Sequence, residues 1–262
     1  GEAISRGLIR LDNRLPYIAC QGNHDLGHIA AEYRYSMMPD YIYPERNIQF
    51  EKTLVSTGTN YEGIHTMENA AFEFENETWG KLLVIAFEFA PRDEALDWAR
   101  QLIESDRFKN HTVIILTHSF LLNNGERIVN EGYKLTPRNW AQAVWDKLVY
   151  PSKNIKLVLC GHTGTPPQMN GSEKVDYHTT TACRVDPAAD GHKVVQMMFN
   201  SQSGDGSWNG NGGDCWLRIL EFKPDGKTIG IRTFSPLFAL SRRTQHMAWR
   251  TDAYDQFSIT IE

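Results

Sequence analysis

Apolar residues fall into two patterns along this chain, and the change comes near Gly161. Before it, short apolar runs alternate with stretches of helical spacing. Ile4, Leu8 and Leu11 predict an amphipathic helix over 2–13. The run Leu15-Pro-Tyr-Ile-Ala-Cys20 stops at Gly22 and predicts a short buried strand. The stretch from His24 to Glu68 is mixed and rich in tyrosine and proline, and predicts a long loop with short helical pieces. Residues 70–77 and 82–89 predict two strands joined around Gly80. Pro91 then takes the favoured first-turn position of a helix whose inner side carries Leu96, Trp98, Ala99 and Leu102. The β-branched run 112–116 predicts a strand covered on both faces. A helix over 137–150 follows, with Trp140, Val144, Trp145 and Leu148 at helical spacing, and then a strand over 155–160.

Beyond Gly161 the pattern predicts mostly strands, at 180–185, 193–199, 216–222, 228–234 and 257–261. No internal repeat and no Pro/Ser linker divides the chain, so residues 1–262 read as one layered domain. Strand and helix alternate over 1–162, and strand dominates 163–262. Composition supports a large core: 41% of residues are hydrophobic and 11% aromatic, which excludes an intrinsically disordered chain. No apolar run approaches the roughly 20 residues that a membrane-spanning helix needs. The net charge of −5 leaves no electrostatic footprint for nucleic acid. The four cysteines form no C-x-x-C pair, and Cys20 and Cys160, ending apolar runs, read as small buried residues.

Candidate chemistry concentrates in Gly22-Asn-His-Asp25, Thr117-His118 and Cys160-Gly-His162. Each follows an apolar strand, where open α/β sheets place their ligand sites. Gly22 and Gly161 are expected to turn the backbone sharply, so that the next side chain projects from the sheet edge. Asn23, His118 and His162 then offer one amide oxygen and two imidazole nitrogens. That donor set suits Mn, Fe, Zn or Ni better than Ca or Mg. Singly, each motif reads equally well as a turn or a satisfied histidine; their conjunction at three strand ends carries the weight.

In these motifs the sequence resembles the calcineurin-like metallophosphoesterases. Their signature runs D-x-H, G-D, G-N-H-[D/E], a lone His after a strand, and G-H-x-H. Gly22-Asn-His-Asp25 matches the third motif, His118 the fourth, and Gly161-His162 half of the fifth. Pro91-Arg-Asp-Glu-Ala-Leu-Asp-Trp98, Thr117-His-Ser-Phe120 and Gly212-Gly-Asp-Cys-Trp-Leu-Arg218 look like a secreted bacterial branch, which implies an extracytoplasmic location. The resemblance implies an α/β (α+β) fold with two packed mixed β-sheets flanked by helices, a four-layer αββα architecture. It also implies a metal-dependent hydrolase of small phosphate esters, monoester or diester, that uses a pair of divalent metals. Asn23, His118 and His162 would bind one of the two metals, and His24 would protonate the leaving-group oxygen.

The sequence departs from that signature in two places. No D-x-H and no Gly-Asp pair precedes His24; Asp12, between a helix and a turn, is a poor substitute for the bridging aspartate. The first strand–helix–strand portion of the family is therefore expected to lie outside this chain. Gly164 stands where the last histidine of G-H-x-H would bind the other metal. The chain by itself is thus expected to bind metal weakly, singly or not at all, and to be inactive. The alternative is a non-catalytic binding module on a degenerate phosphoesterase fold. An uncovered sheet edge would invite self-association.

Asp176-Tyr-His178, Gly204-Asp205 and Gly213-Asp214 mimic family motifs but lack a preceding strand, and read as turn residues. His28 reads as solvent-exposed, Arg127 as either a phosphate clamp or a surface ion pair, and Trp208 with the loop 203–214 as either a substrate-cleft lining or a long hairpin connection. His65, His111, His192 and His246 have no motif around them.

Overall fold

The computed structural model describes residues 6–163, 178–201 and 213–261. Its frame is a seven-stranded sheet of β1 (Leu54–Thr59), β2 (His65–Asn76), β3 (Gly80–Ala86), β4 (Thr112–Leu116), β5 (Ile155–Cys160), β6 (Thr181–Pro187) and β7 (Lys193–Phe199), in the order β1-β2-β3-β4-β5-β7-β6. The inner pairs β3/β4, β4/β5 and β5/β7 are parallel, while β1/β2, β2/β3 and β6/β7 are antiparallel. A second sheet has β9 (Thr228–Phe234) at its centre, paired antiparallel with β8 (Leu217–Phe222), β10 (Trp249–Arg250) and β11 (Phe257–Thr260).

Alternation along each strand decides what covers each face. Leu83, Ile85, Val113, Ile115 and Val158 face the helices and are buried with Ala95, Leu96, Ala99 and Ile103 of α1 (Asp93–Glu104). Trp145 and Leu148 join that cluster from α2 (Ala141–Val144) and the π-type turn Trp145–Val149 that continues it. Ile114, Leu157, Val195 and Met197 point the other way, against Ile229, Ile231, Ile259 and Ile261 of the second sheet. Each fully buried side chain of this size stabilises the fold by about 1.5–3 kcal/mol relative to exposure. Two packed sheets with helices on the outer face of the larger one are thus observed, as expected. Among the described residues, no helix longer than one turn follows β6, so the second sheet has no long helix of its own.

Several boundaries differ from the expectation for physical reasons. The stretch 15–20 forms no strand. It lies half-buried, with Tyr17, Ile18 and Ala19 packed on Phe50, Ala70 and Phe72. Its apolar pattern is used for packing, but no described strand lies alongside to complete a ladder. The long loop expected over 24–68 contains β1 and the start of β2. The helix after β3 starts at Asp93, two residues past Pro91, because the Glu88 carboxylate accepts a hydrogen bond from the backbone N–H of its N-cap, Arg92 (2.9 Å). The later helix starts at Ala141 rather than at Pro137, because the backbone is still extended at its N-cap Trp140, φ −79° and ψ 169°.

Parallel pairing has one consequence for function. Leu116 of β4 is in register with Leu159 of β5, so His118 and His162 leave the same edge of the sheet.

Candidate metal centre

Asn23 sits on a single turn, Asn23–Asp25, closed by the Gly22 N–H donating to Asp25 Oδ2 (2.9 Å). Gln21, 1% exposed, anchors the turn from behind. Its amide nitrogen donates to Glu68 Oε1 (2.8 Å), and its oxygen accepts from the Phe89 N–H (3.2 Å). The Phe89 ring lies edge-on to His118, with centroids 5.8 Å apart, and 5.9 Å from the centroid of His162. It forms an apolar wall for both imidazoles.

The structure brings three of the four expected residues together. His118 Nε2 stands 3.0 Å from Asn23 Oδ1 and 3.1 Å from His162 Nδ1. Burial first, and then the neighbouring imidazole of His162, which disfavours a second positive charge beside it, push the His118 pKa down from 6.5 to about 4. At neutral pH the ring therefore carries one proton and one lone pair. The fourth residue, His24, is exposed beside this cluster, and its Nδ1 lies 2.8 Å from the Ile29 carbonyl.

Two residues that the motifs do not single out complete the arrangement. Glu131 Oε1 lies 2.8 Å from His162 Nε2, and Glu131 Oε2 accepts from the Ser119 hydroxyl (2.8 Å). The Tyr133 hydroxyl accepts from Asn23 Nδ2 at 2.9 Å, which turns Asn23 Oδ1 toward the imidazoles. Both sit on the connection between β4 and α2, with no strand or spacing to mark them. Their only signal in the sequence is that they follow His118 on one long segment.

This donor set fits a divalent ion. Donors at right angles around an octahedral ion about 2.1 Å away stand about 3.0 Å apart, close to the two separations found. A carboxylate oxygen only accepts, so His162 carries its proton on Nε2 and presents Nδ1 as a lone pair. Asn23 Oδ1 and His162 Nδ1 then share the single proton on His118 Nε2, and a cation in its place, with that proton on His118 Nδ1, would be met by all three atoms. Among the described residues no group of three His, Cys, Asp or Glu side chains could hold a metal. The set reaches three donors only through the Asn23 amide.

Gly22 is required here, but not for the expected reason. Its backbone is ordinary extended chain, φ −104° and ψ 173°. A Cβ on it would lie 3.0 Å from His118 Cε1 and 3.1 Å from Nε2, so the ring packs directly on the glycine. Gly161 likewise has no left-handed φ; a Cβ there would meet the Phe199 carbonyl at 3.2 Å. The left-handed residue is His162 itself, at φ 66°, with its carbonyl accepting from Asn200 Nδ2 (3.0 Å). Gly22→Ala is expected to tilt His118 and weaken Mn(II) binding roughly tenfold, as disturbing a ligand's support commonly does. Isothermal titration reads this, and an unchanged affinity would show that the ring can shift without loss.

The remaining candidates are placed elsewhere. Arg127 is spent on structure: it pairs with Asp186 (2.6 Å), donates to Gln196 Oε1 (2.8 Å) and stacks on Trp145. His28 is exposed against Tyr33. His111 pairs with Glu73, His192 with Asp190, and His65 with the Thr57 carbonyl. Cys20 and Cys160 are half-buried thiols whose pKa burial pushes up to about 12, far from a thiolate nucleophile. Gly213 and Asp214 form a turn; Gly164, Asp176, Gly204, Asp205 and Trp208 lie outside the described residues.

Comparison with known proteins agrees with the motif resemblance. The family model for calcineurin-like phosphoesterase matches residues 2–166. The protein YvnB of Bacillus subtilis strain 168, itself uncharacterized, is 23% identical over 254 residues, covering 95% of this chain. The chain spans 16% of the length of that relative. A solved Staphylococcus aureus structure of a candidate 5'-nucleotidase is 18% identical over 74% of this chain and 40% of its own, with a TM-score of 0.37.

Proposed function

This chain belongs to the calcineurin-like phosphoesterase family, and from that premise we propose that Asn23, His118 and His162 hold one divalent metal of the Mn, Fe, Zn or Ni type. We further propose that His24 protonates the leaving oxygen of a small phosphate ester. The approach of Asn23 Oδ1 (3.0 Å) and His162 Nδ1 (3.1 Å) to His118 Nε2 carries the reading. When bound, such an ion polarises phosphoryl oxygens and makes water a better nucleophile.

The chain's own residues account for the rest. Phe89, fully buried, keeps water from the rear of both imidazoles, and the depressed pKa keeps His118 ready as a neutral donor. His24 stands on the solvent side of the cluster, next to Asn23. Its Nδ1–H donates to the Ile29 carbonyl, which fixes the ring and leaves Nε2 on the exposed side to carry the transferred proton. A general acid at this position contributes about 10²–10⁴-fold to such a reaction.

One donor set is expected to take up one ion. Titration of the 262-residue chain with Mn(II) should give one equivalent bound, abolished in Asn23→Ala. The same chain should show no p-nitrophenyl phosphate hydrolysis above background. Hydrolysis that His24→Asn removes would overturn the one-ion limit, and absence of any binding would overturn the metal reading itself. The Gly at 164 favours the second reading, a binding module without catalysis; retained metal and phosphate binding with no turnover in any longer form of the protein would decide for it.

A further inference from the structure

The donor set assembled above is neutral: one amide and two imidazoles. A divalent ion held by neutral donors alone keeps its full charge, which a carboxylate close by would offset. The described residues place one carboxylate in contact with a donor. Glu131 is 12% exposed at its side chain and lies behind His162, 2.8 Å from Nε2. The two nitrogens of an imidazole point away from each other, so Glu131 stands behind the ring and not among the donors. Its second oxygen is occupied by the Ser119 hydroxyl, which keeps the carboxylate from swinging away. Two residues later Tyr133 holds the amide of Asn23. One short segment of the β4–α2 connection thus grips two donors from outside, one by a carboxylate and one by a phenol.

We propose that Glu131 is the positioning carboxylate of this centre, orienting His162 with Nδ1 inward and supplying the negative charge that Asn23, His118 and His162 lack. The proposal rests on the reading that those three residues hold a metal. Carboxylate–histidine–metal relays of this kind orient the ring and raise its basicity. The strained backbone of His162, at φ 66°, adds a reason for an outside anchor. A left-handed histidine costs about 1–3 kcal/mol and persists only where its surroundings hold it. Glu131 on one side and Asn200 on the other supply that hold. Tyr133 does the corresponding work for Asn23: with Nδ2 engaged by the phenol oxygen, the amide cannot flip to present its nitrogen to the ion.

The test is Mn(II) and Zn(II) affinity by isothermal titration for the full 262-residue chain and its Glu131→Gln, Glu131→Ala and His118→Ala variants, with thermal melts of each metal-free protein. Glu131→Gln keeps an oxygen that accepts from Nε2–H and removes the charge. Its affinity should fall by about tenfold, and that of Glu131→Ala by about a hundredfold, the range found when such outer partners are lost. The metal-free melting temperature of Glu131→Gln should stay near wild type, because a merely structural carboxylate would change the melt and leave affinity alone. Affinities within about threefold of wild type for both Glu131 variants, with His118→Ala still losing the metal, would overturn the role of Glu131 and leave the metal reading standing. Wild-type chain that binds neither metal would overturn both.

Discussion

His118→Ala is expected to abolish measurable metal binding by this chain. His118 Nε2 is the middle of the three donors, in contact with both Asn23 Oδ1 and His162 Nδ1. Structural zinc sites gain about 10–16 kcal/mol from four ligands, so one imidazole accounts for about 3 kcal/mol, more than a hundredfold in affinity. The substitution also empties the space between Gly22 and Phe89, which removes the imidazole that both Asn23 and His162 contact. Metal content by elemental analysis after gel filtration reads the result, and stoichiometric Mn(II) or Zn(II) in the variant would sink the assignment.

The same variant carries a pH signature. The folded pKa of His118, about 4, lies below its ordinary 6.5, chiefly through burial. The unfolded chain therefore binds more protons between those values, and stability rises with pH across them. The contribution of the neutral ring is complete above pH 6.5 and is lost as pH falls toward 4. Metal-free wild-type protein should melt at progressively lower temperature over that interval, and His118→Ala should show a flatter dependence. Identical slopes would mean that the ring is more hydrated than its packing indicates.

The second large effect concerns stability. Glu88, 2% exposed, lies between Arg34 and Arg92, themselves 6% and 5% exposed. Its Oε1 accepts from Arg92 Nε at 2.9 Å and stands 3.6 Å from Arg34 NH1. Burial pushes Arg34 down to about 10 against the opposing pull of Glu88, and the guanidinium also donates to the carbonyls of Phe89, Ala90 and Pro137. Removing the carboxylate strands two buried cations. Breaking one partner of such a network costs about 3–5 kcal/mol. Glu88→Ala should therefore lower the melting temperature by roughly 10 °C, at about 2–4 °C per kcal/mol for a chain of this size. Glu88→Gln, which keeps the acceptor for the Arg92 backbone N–H, should lose less. The effect reaches the candidate site because Arg34 ties the loop after His24 to the segment carrying Phe89. A shift of only one or two degrees in Glu88→Ala would show that water already reaches the pair.

How far the sequence could be read follows from what each residue depends on. The strands Thr112–Leu116, Ile155–Cys160 and Lys193–Phe199 match their apolar runs, because β-branched and largely apolar stretches have one stable use, a sheet covered on both faces. Thr228–Phe234 matches because its alternation buries one face. β1 and the first part of β2 escaped because Val55, Thr57 and Met67 are interspersed with glycine, asparagine and glutamate. Their burial comes from α1 and the short helices that pack on them, not from local pattern. The stretch 15–20 failed in the opposite sense: it has the composition of a strand, but pairing needs a neighbour.

Local sequence determined that Asn23, His118 and His162 each follow an apolar run, since the run and the polar residue that ends it are contiguous in the chain. Only the tertiary structure decided that the two histidines leave one sheet edge, through the parallel register of β4 and β5, and that His118 packs on Gly22. It alone supplied Glu131 and Tyr133. Their contacts with His162 and Asn23 bridge 31 and 110 positions, and no local propensity encodes a hydrogen bond made across a fold.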